Sequence, residues 1–173
     1  MDVFEAIKER RSIRKYKKEP ISDDLVLKVI EAAIWAPSSK NRQPWEFIII
    51  RNEDTKRKLA ELAPFGRFIA EAPVVIAVVT DPRKSPAFHM VDGACAVQNL
   101  LLAAHALGLG TCWIGTMDRE RAKEILGIPK DLHLLTVIPL GYPDERPKAP
   151  HRKPLESVVH YERYGQRPSK NRS

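Results

Sequence analysis

Ala36-Pro37-Ser38-Ser39-Lys40-Asn41-Arg42-Gln43-Pro44-Trp45, running on into Phe47-Ile48-Ile49-Ile50, is where the chain passes from helical to extended patterning. Pro37 removes a helix donor and biases its predecessor away from helix, so the amphipathic run before it stops at Ala36. The apolar run that Pro44 and Trp45 open reads as a core strand. Between the two lie Ser38, Ser39, Asn41 and Gln43, whose side chains donate and accept hydrogen bonds in fixed directions. A segment of this kind, at a helix end beside a buried strand, reads either as half of a cofactor pocket or as an ordinary polar loop.

Working outward, the same alternation holds. Asp2 and Glu5 form a capping pair for a first helix running to about Ser12, with Val3, Phe4 and Ile7 on one face. Ser22 caps the second helix, whose stripe is Leu25, Val26, Val29, Ile30 and Ala33. After strand Trp45–Arg51 comes a short helix near Thr55–Leu62, then Pro73–Val79, a strand apolar at every position and so buried on both faces. A long helix over Ala87–Ala106 carries Val91, Ala94, Cys95, Gln98, Leu101, Leu102 and His105 at helical spacing, with Val97 and Ala104 widening the apolar surface, which predicts a central position. Gly108 and Gly110 end it, Thr111–Ile114 reads as a strand leading into a turn at Gly115-Thr116, and Asp118 caps a helix that Gly127 stops. The last strand is Leu134–Gly141. These elements predict a single α+β domain over 1–165, followed by a disordered basic tail at 166–173.

At 173 residues and 43% hydrophobic, the chain supplies one sizeable core. It has no signal-type apolar region and no membrane-length run, so a cytoplasmic protein is expected. Cys95 and Cys112 stand far apart with no CxxC pair and the histidines are scattered, which argues against a metal site or a disulfide framework.

The net charge of +7 sits at the two ends. Residues 1–18 hold seven Lys or Arg against three acids, residues 146–173 eight against two, and the middle carries −3. No continuous basic face with groove-reading elements appears, so nucleic acid is not an expected partner. Instead Arg10-Arg11-Ser12-Ile13-Arg14-Lys15-Tyr16 brings guanidinium forks and a hydroxyl together, and His151-Arg152-Lys153 stands at the far end; the two clusters together suit one compact anion. Attraction of cations to a helix C-terminus, or a solvated surface, is the alternative. The turn Ile114-Gly115-Thr116 allows close backbone approach to a flat ligand, or simply ends a strand. Tyr142–Pro154 is proline-rich and stiff, and it leads to a second apolar patch, Leu155, Val158, Val159 and Tyr161. This segment is an arm that either crosses to a partner subunit or packs back on its own domain. No GxSxG, HExxH or GxGxxG is present, so any catalysis falls to a bound organic cofactor.

Four segments in order, RRSIRKY, APSSKNRQPWEF, GLGTCWIG and LGYPDERPKAPHRKPLESVV, make the chain resemble the FMN-dependent nitroreductases from about Val3 to Tyr161. The resemblance implies an α/β/α sandwich around a mixed sheet, assembled as an intertwined homodimer with exchange of C-terminal arms and two FMN sites between subunits. By that likeness Arg10, Arg11, Ser12 and Arg14, with Arg152 and Lys153, would hold the phosphate, ribityl chain and pyrimidine edge. Pro37, Ser38, Ser39, Asn41 and Gln43 of the other subunit would line the isoalloxazine, and the turn at Ile114 and Gly115 would present a backbone N–H to flavin N5. The implied activity is ping-pong oxidation of NADH or NADPH with transfer to a small-molecule acceptor, a nitroaromatic, quinone or flavin. An FMN-binding protein with a storage, sensing or specialised oxidation role, and a basic nucleic-acid-binding module, are the competing readings. One departure stands out: where larger members carry an inserted segment and a basic or amide residue before the second core strand, this chain has only Pro64-Phe65-Gly66-Arg67-Phe68.

Overall fold

The computed structural model describes residues 1–167, so most of the basic tail expected over 166–173 lies outside the described residues. The chain runs α1 (Val3–Glu9), α2 (Asp23–Ile34), β1 (Trp45–Ile50), α3 (Glu53–Glu61), β2 (Val74–Thr80), α4 (His89–Ala106), β3 (Gly110–Thr111), α5 (Arg119–Leu126) and β4 (His133–Gly141). The capping signals act as read. Asp2 and Glu5 close a capping box on α1, Ser22 accepts from the Leu25 N–H, Asp118 accepts from the Arg121 N–H, and Gly127 ends α5 at φ 66°.

The strands form one sheet in the order β1-β2-β4-β3, and all three pairings are antiparallel. The parallel component expected of a mixed sheet is confined to a single bridge, Ser12 to Thr111. Because β2 is covered on both faces, its alternate residues enter two different cores. Val74, Ile76 and Val78 meet Val26, Val29 and Leu100 of α2 and α4, while Val75, Ala77 and Val79 meet Leu59, Ala60 and Ala122 of α3 and α5. The result is the expected α/β/α sandwich.

Three elements differ from the sequence reading. Helix α1 stops at Glu9, because Arg10 turns extended (φ −54°, ψ 135°) and the Ile13 N–H pairs with the Thr111 carbonyl at 2.8 Å. The strand expected over Thr111–Ile114 is only Gly110–Thr111, with Ile114 keeping one longer bond to Val137, 3.3 Å. In α4 the face packed on the sheet is Gly93, Ala96, Val97, Leu100 and Ala104. Val97 and Ala104, expected to widen the stripe, are on this face, but of the stripe itself only Leu101 is buried, and Val91 and Gln98 are exposed. The helix is apolar on two sides, and one of them faces out of this chain. The arm packs back only at its root, where Pro143 bridges to Tyr16 and the Asp144 N–H donates to the Lys15 carbonyl at 2.9 Å; farther on, Leu155 is 74% exposed and Tyr164 92%.

Candidate functional site

The basic segment is placed by the residue in its middle. Ile13 is buried against Gly110, where a Cβ would come within 2.7 Å of the Ile13 side chain, so the bare backbone of Gly110 lets the segment lie flat. With Ile13 turned inward, the alternation of an extended chain groups Arg10, Ser12 and Arg14. The Arg14 N–H donates to Glu145 Oε1 at 2.5 Å, which ties the segment to the root of the arm.

Cys112 stands among these side chains. Burial pushes its thiol pKa up, while Arg14, a hydrogen bond with Ser12, and Arg10 pull the other way. Burial also lowers the Arg10 pKa, and Arg11 and Arg152 lower it further. The root of the arm meets the basic segment at Glu145, and the charge of Arg152 bears on Arg10. Lys153 follows, exposed. Arg11 bears on this group through its charge and also binds the end of α1. Its Nη1 donates to the Lys8 and Arg10 carbonyls at 2.6 and 2.8 Å, closing the end of α1, while its Nε is buried without a partner.

Next to Arg14 opens a hollow of about 160 Å³ lined by Phe65, Gly66, Phe68 and Cys112 through Thr116. Its floor is the Ile114-Gly115 turn, fixed from behind. The Ile114 carbonyl accepts from Thr136 Oγ1 at 2.9 Å, and the Gly115 carbonyl accepts from Arg119 Nη2 at 2.8 Å. A Cβ on Gly115 would meet nothing within 4 Å, so nothing in this chain requires glycine there; the space above the turn is open. Arg67 lines a different hollow, with Arg57 and Glu61, and contributes nothing to this one.

The loop that opened the sequence reading is strained and firmly held. Lys40, Asn41 and Gln43 all have left-handed backbones (φ 53°, 54° and 47°), a conformation that costs roughly 1–3 kcal/mol per non-glycine residue. Its fasteners are the Gln43 N–H to Ser38 Oγ, 3.0 Å, and the Ser39 N–H to Asp92 Oδ1, 3.0 Å. Asp92, 4% exposed, also accepts from Ser85 Oγ at 2.8 Å. Pro37, Asn41 and Gln43 are left exposed, with Ser38 and Ser39 half-buried.

The basic segment and this loop lie at opposite ends of the sheet. Thr80 pairs with Trp45, directly after the loop, whereas Thr111, which bridges to Ser12, pairs with Leu140, and Leu140 pairs with Val74. The seven residues of β2 separate the ends by about 20 Å. The hollow beside Arg14 contains none of residues 37–43. The two groups of residues thus face different regions of space.

Four residues shape the site without having stood out in the sequence. Asp92 anchors the loop, Arg119 pins the turn, Cys112 sits inside the cation group, and Glu145 ties it to the arm. Asp92 did carry a signal, as a carboxylate in an otherwise apolar helical run. Among the described residues no group of three His, Cys, Asp or Glu side chains is placed to hold a metal ion, and no helix is long and apolar enough to cross a membrane.

Grouped guanidiniums, an aromatic-rimmed hollow and an open glycine floor suit a flat ligand with an anionic tail, and FMN fits that donor set. Fold and site together define a three-layer α+β domain built around such a ligand. The chain belongs to the nitroreductase family, whose family model matches residues 7–64 and 63–142. It is 44% identical over 153 residues to a protein of Methanothermobacter thermautotrophicus named among the NADH dehydrogenase/NAD(P)H nitroreductases, covering 85% of this chain and 80% of the relative. Of the solved structures, one of the same naming from Parabacteroides distasonis superposes with a TM-score of 0.87 at 36% identity, over 93% of this chain and 98% of that one. The FMN reductase [NAD(P)H] of Bacillus subtilis is 30% identical over 185 residues, 94% of this chain and 74% of the relative.

Proposed function

We propose that this protein is an FMN-dependent NAD(P)H oxidoreductase whose two flavin sites form between the subunits of a homodimer. The observation that carries this reading is the aromatic-rimmed hollow that runs from Arg14 to Gly115, with Arg10 and Ser12 grouped beside Arg14 along the extended basic segment. A phosphomonoester brings close to two negative charges, which offset these cations through charge-assisted hydrogen bonds. Arg10, Ser12, Arg152 and Lys153 hold the phosphate end, and Arg11 supports them by closing α1. Arg14 meets the pyrimidine edge, where a cation favours the reduced, anionic ring.

When bound, FMN takes two electrons and a proton from NADH or NADPH and passes them, with a proton from water, to an acceptor. The chain's own part is positioning. The Ile114-Gly115 turn, held by Thr136 and Arg119, would present a backbone N–H to N5, while Phe65 and Phe68 would offer aromatic surface at the rim. Pro37, Ser38, Ser39, Asn41 and Gln43 of the second subunit cover the far edge, since one chain alone leaves them about 20 Å away along the sheet. The exposed apolar faces Val3, Phe4 and Ile7 of α1, Met90 and Val91 of α4, and Leu155 and Val158 of the arm support that dimer and an exchange of arms. Donor and acceptor occupy the same open face in turn, which gives ping-pong kinetics; quinones, nitroaromatics and flavins fit so shallow a hollow.

The test is direct. Purified protein should be yellow with a flavin absorbance band, and NADH or NADPH should bleach that band under anaerobic conditions. A yellow protein that neither nucleotide bleaches would favour a storage or sensing role, and a colourless one that takes up no FMN would overturn the reading.

A further inference from the structure

The loop between α2 and β1 carries two cations that the flavin reading leaves unused. Lys40 and Arg42 flank Asn41, both are exposed, and neither side chain has a hydrogen bond or ion pair among the described residues. Two cations that follow β2, where the Asp81 N–H meets the Pro44 carbonyl at the loop's end, are matched instead. Arg83 pairs with Asp81 and Asp131 at 2.9 and 2.6 Å, and Lys84 with Glu46 at 3.8 Å. The buried carboxylate of Asp92 is taken up by the Ser39 N–H and the Ser85 hydroxyl. The free pair stands on a closed mount: the Asn41 and Arg42 N–H groups donate to the Ser38 and Ser39 carbonyls at 2.9 and 3.1 Å, and Gln43 Nε2 donates to the Asn41 carbonyl at 3.3 Å. A left-handed backbone suits Gly or Asn, as at Asn41. Lys40 holds it too, at φ 53°, where a turn needing only its shape would carry one of those residues. Backbone strain of this kind clusters at binding sites.

Resting on the reading above, we propose that Lys40 and Arg42, carried with Asn41 and Gln43 to the other subunit's flavin, grip the phosphates of the incoming dinucleotide donor. A hollow of about 160 Å³ that already receives the flavin ring has no room for a whole dinucleotide, so the ADP half of the donor lies outside it. The cations of the hollow are engaged elsewhere. Arg14 meets the flavin, and Arg119 donates to the Gly115 and Leu135 carbonyls at 2.8 and 3.4 Å. Lys40 and Arg42 are free, and phosphate oxygens accept from an ammonium and a guanidinium fork alike.

The experiment uses the flavin-loaded dimer. Stopped-flow bleaching of the flavin band gives an apparent Kd and a limiting rate for NADPH, for NADH and for benzyl dihydronicotinamide, a hydride donor without phosphate. Lys40→Asn and Arg42→Gln should each raise the nucleotide Kd roughly threefold, and the double variant roughly tenfold, while the limiting rate and the Kd of the benzyl donor stay the same. A rise confined to NADPH puts its 2′-phosphate on the two cations, and an equal rise with NADH puts the pyrophosphate there. Lys40→Asn should melt no lower than the unaltered protein, because Asn tolerates the left-handed backbone, so weaker nucleotide binding in that variant does not come from misfolding. An unchanged nucleotide Kd in the double variant, or an equal rise for the benzyl donor, overturns the assignment and leaves the pair as surface charge. Flavin content and nucleotide bleaching of the unaltered protein report separately on the oxidoreductase reading.

Discussion

The Ser39 N–H donates to Asp92 Oδ1 at 3.0 Å, joining the strained loop after α2 to the first turn of α4. That carboxylate also takes the Ser85 hydroxyl, so one buried side chain satisfies two groups. Asp92→Ala leaves both unpaired in a dry place, at about 1–3 kcal/mol each. Urea unfolding should show that loss, and FMN affinity should drop with it, because three left-handed residues lose their anchor. Asp92→Asn keeps an acceptor for Ser39 and should recover most of both.

The Gly110 contact sets the basic segment in place. A Cβ there would stand 2.7 to 2.9 Å from three atoms of Ile13, including its own Cβ, which cannot swing aside. Gly110→Ala should cost about 1–3 kcal/mol of stability. It should also weaken FMN binding without altering any group that touches the phosphate, a combination that thermal melts and flavin titration would reveal together.

Arg10 feels like charge from Arg11 and Arg152, against an opposite pull from Cys112. Removing it should leave the apoprotein no less stable while weakening FMN binding by about 1.5–3 kcal/mol, the worth of a hydrogen bond to a charged group. Flavin titrations at rising salt should show a shallower dependence in Arg10→Ala than in the unaltered protein.

His133 and His89 meet edge to face with ring centroids 5.5 Å apart. Burial lowers the His133 pKa below 6.5, and His89, Arg119 and Lys123 lower it further, against a smaller opposite pull from Glu120. A depressed folded value means that the unfolded chain takes up the proton first. Stability is therefore intact above about pH 6.5 and declines as pH falls below it. Denaturation midpoints measured from pH 8 to 5 should show this decline, and His133→Gln should flatten it.

Much of the architecture could be read in advance because local signals and tertiary packing agree: Asp2, Ser22 and Asp118 are caps, and Val74 to Val79 are apolar without a break. The reading slipped where one pattern serves two surfaces. Helix α4 is apolar on both sides, so periodicity could not tell which side meets this chain's own sheet. The first helix looked longer than it is because Arg10 to Ser12 are reasonable helix formers locally, and only the distant pairing with Thr111 draws them straight. Ser38, Ser39, Asn41 and Gln43 were visible as a half-pocket, but their anchor, Asp92, lies 53 positions from Ser39 and no local rule connects them. The bonds from Arg11 to the Lys8 and Arg10 carbonyls were likewise not legible in the sequence.

The central claim is that each flavin site is built from two chains, and mixed dimers test it most directly. A variant lacking the basic half, Arg10→Ala with Arg14→Ala, is unfolded and refolded in equal amounts with one lacking the loop half, Asn41→Ala with Gln43→Ala. Each alone should bind little FMN. Half of the refolded dimers are mixed, and each of those has one complete site of two, so flavin content should return to about a quarter of the unaltered level. A mixture that stays at the average of its two parents would contradict a shared site.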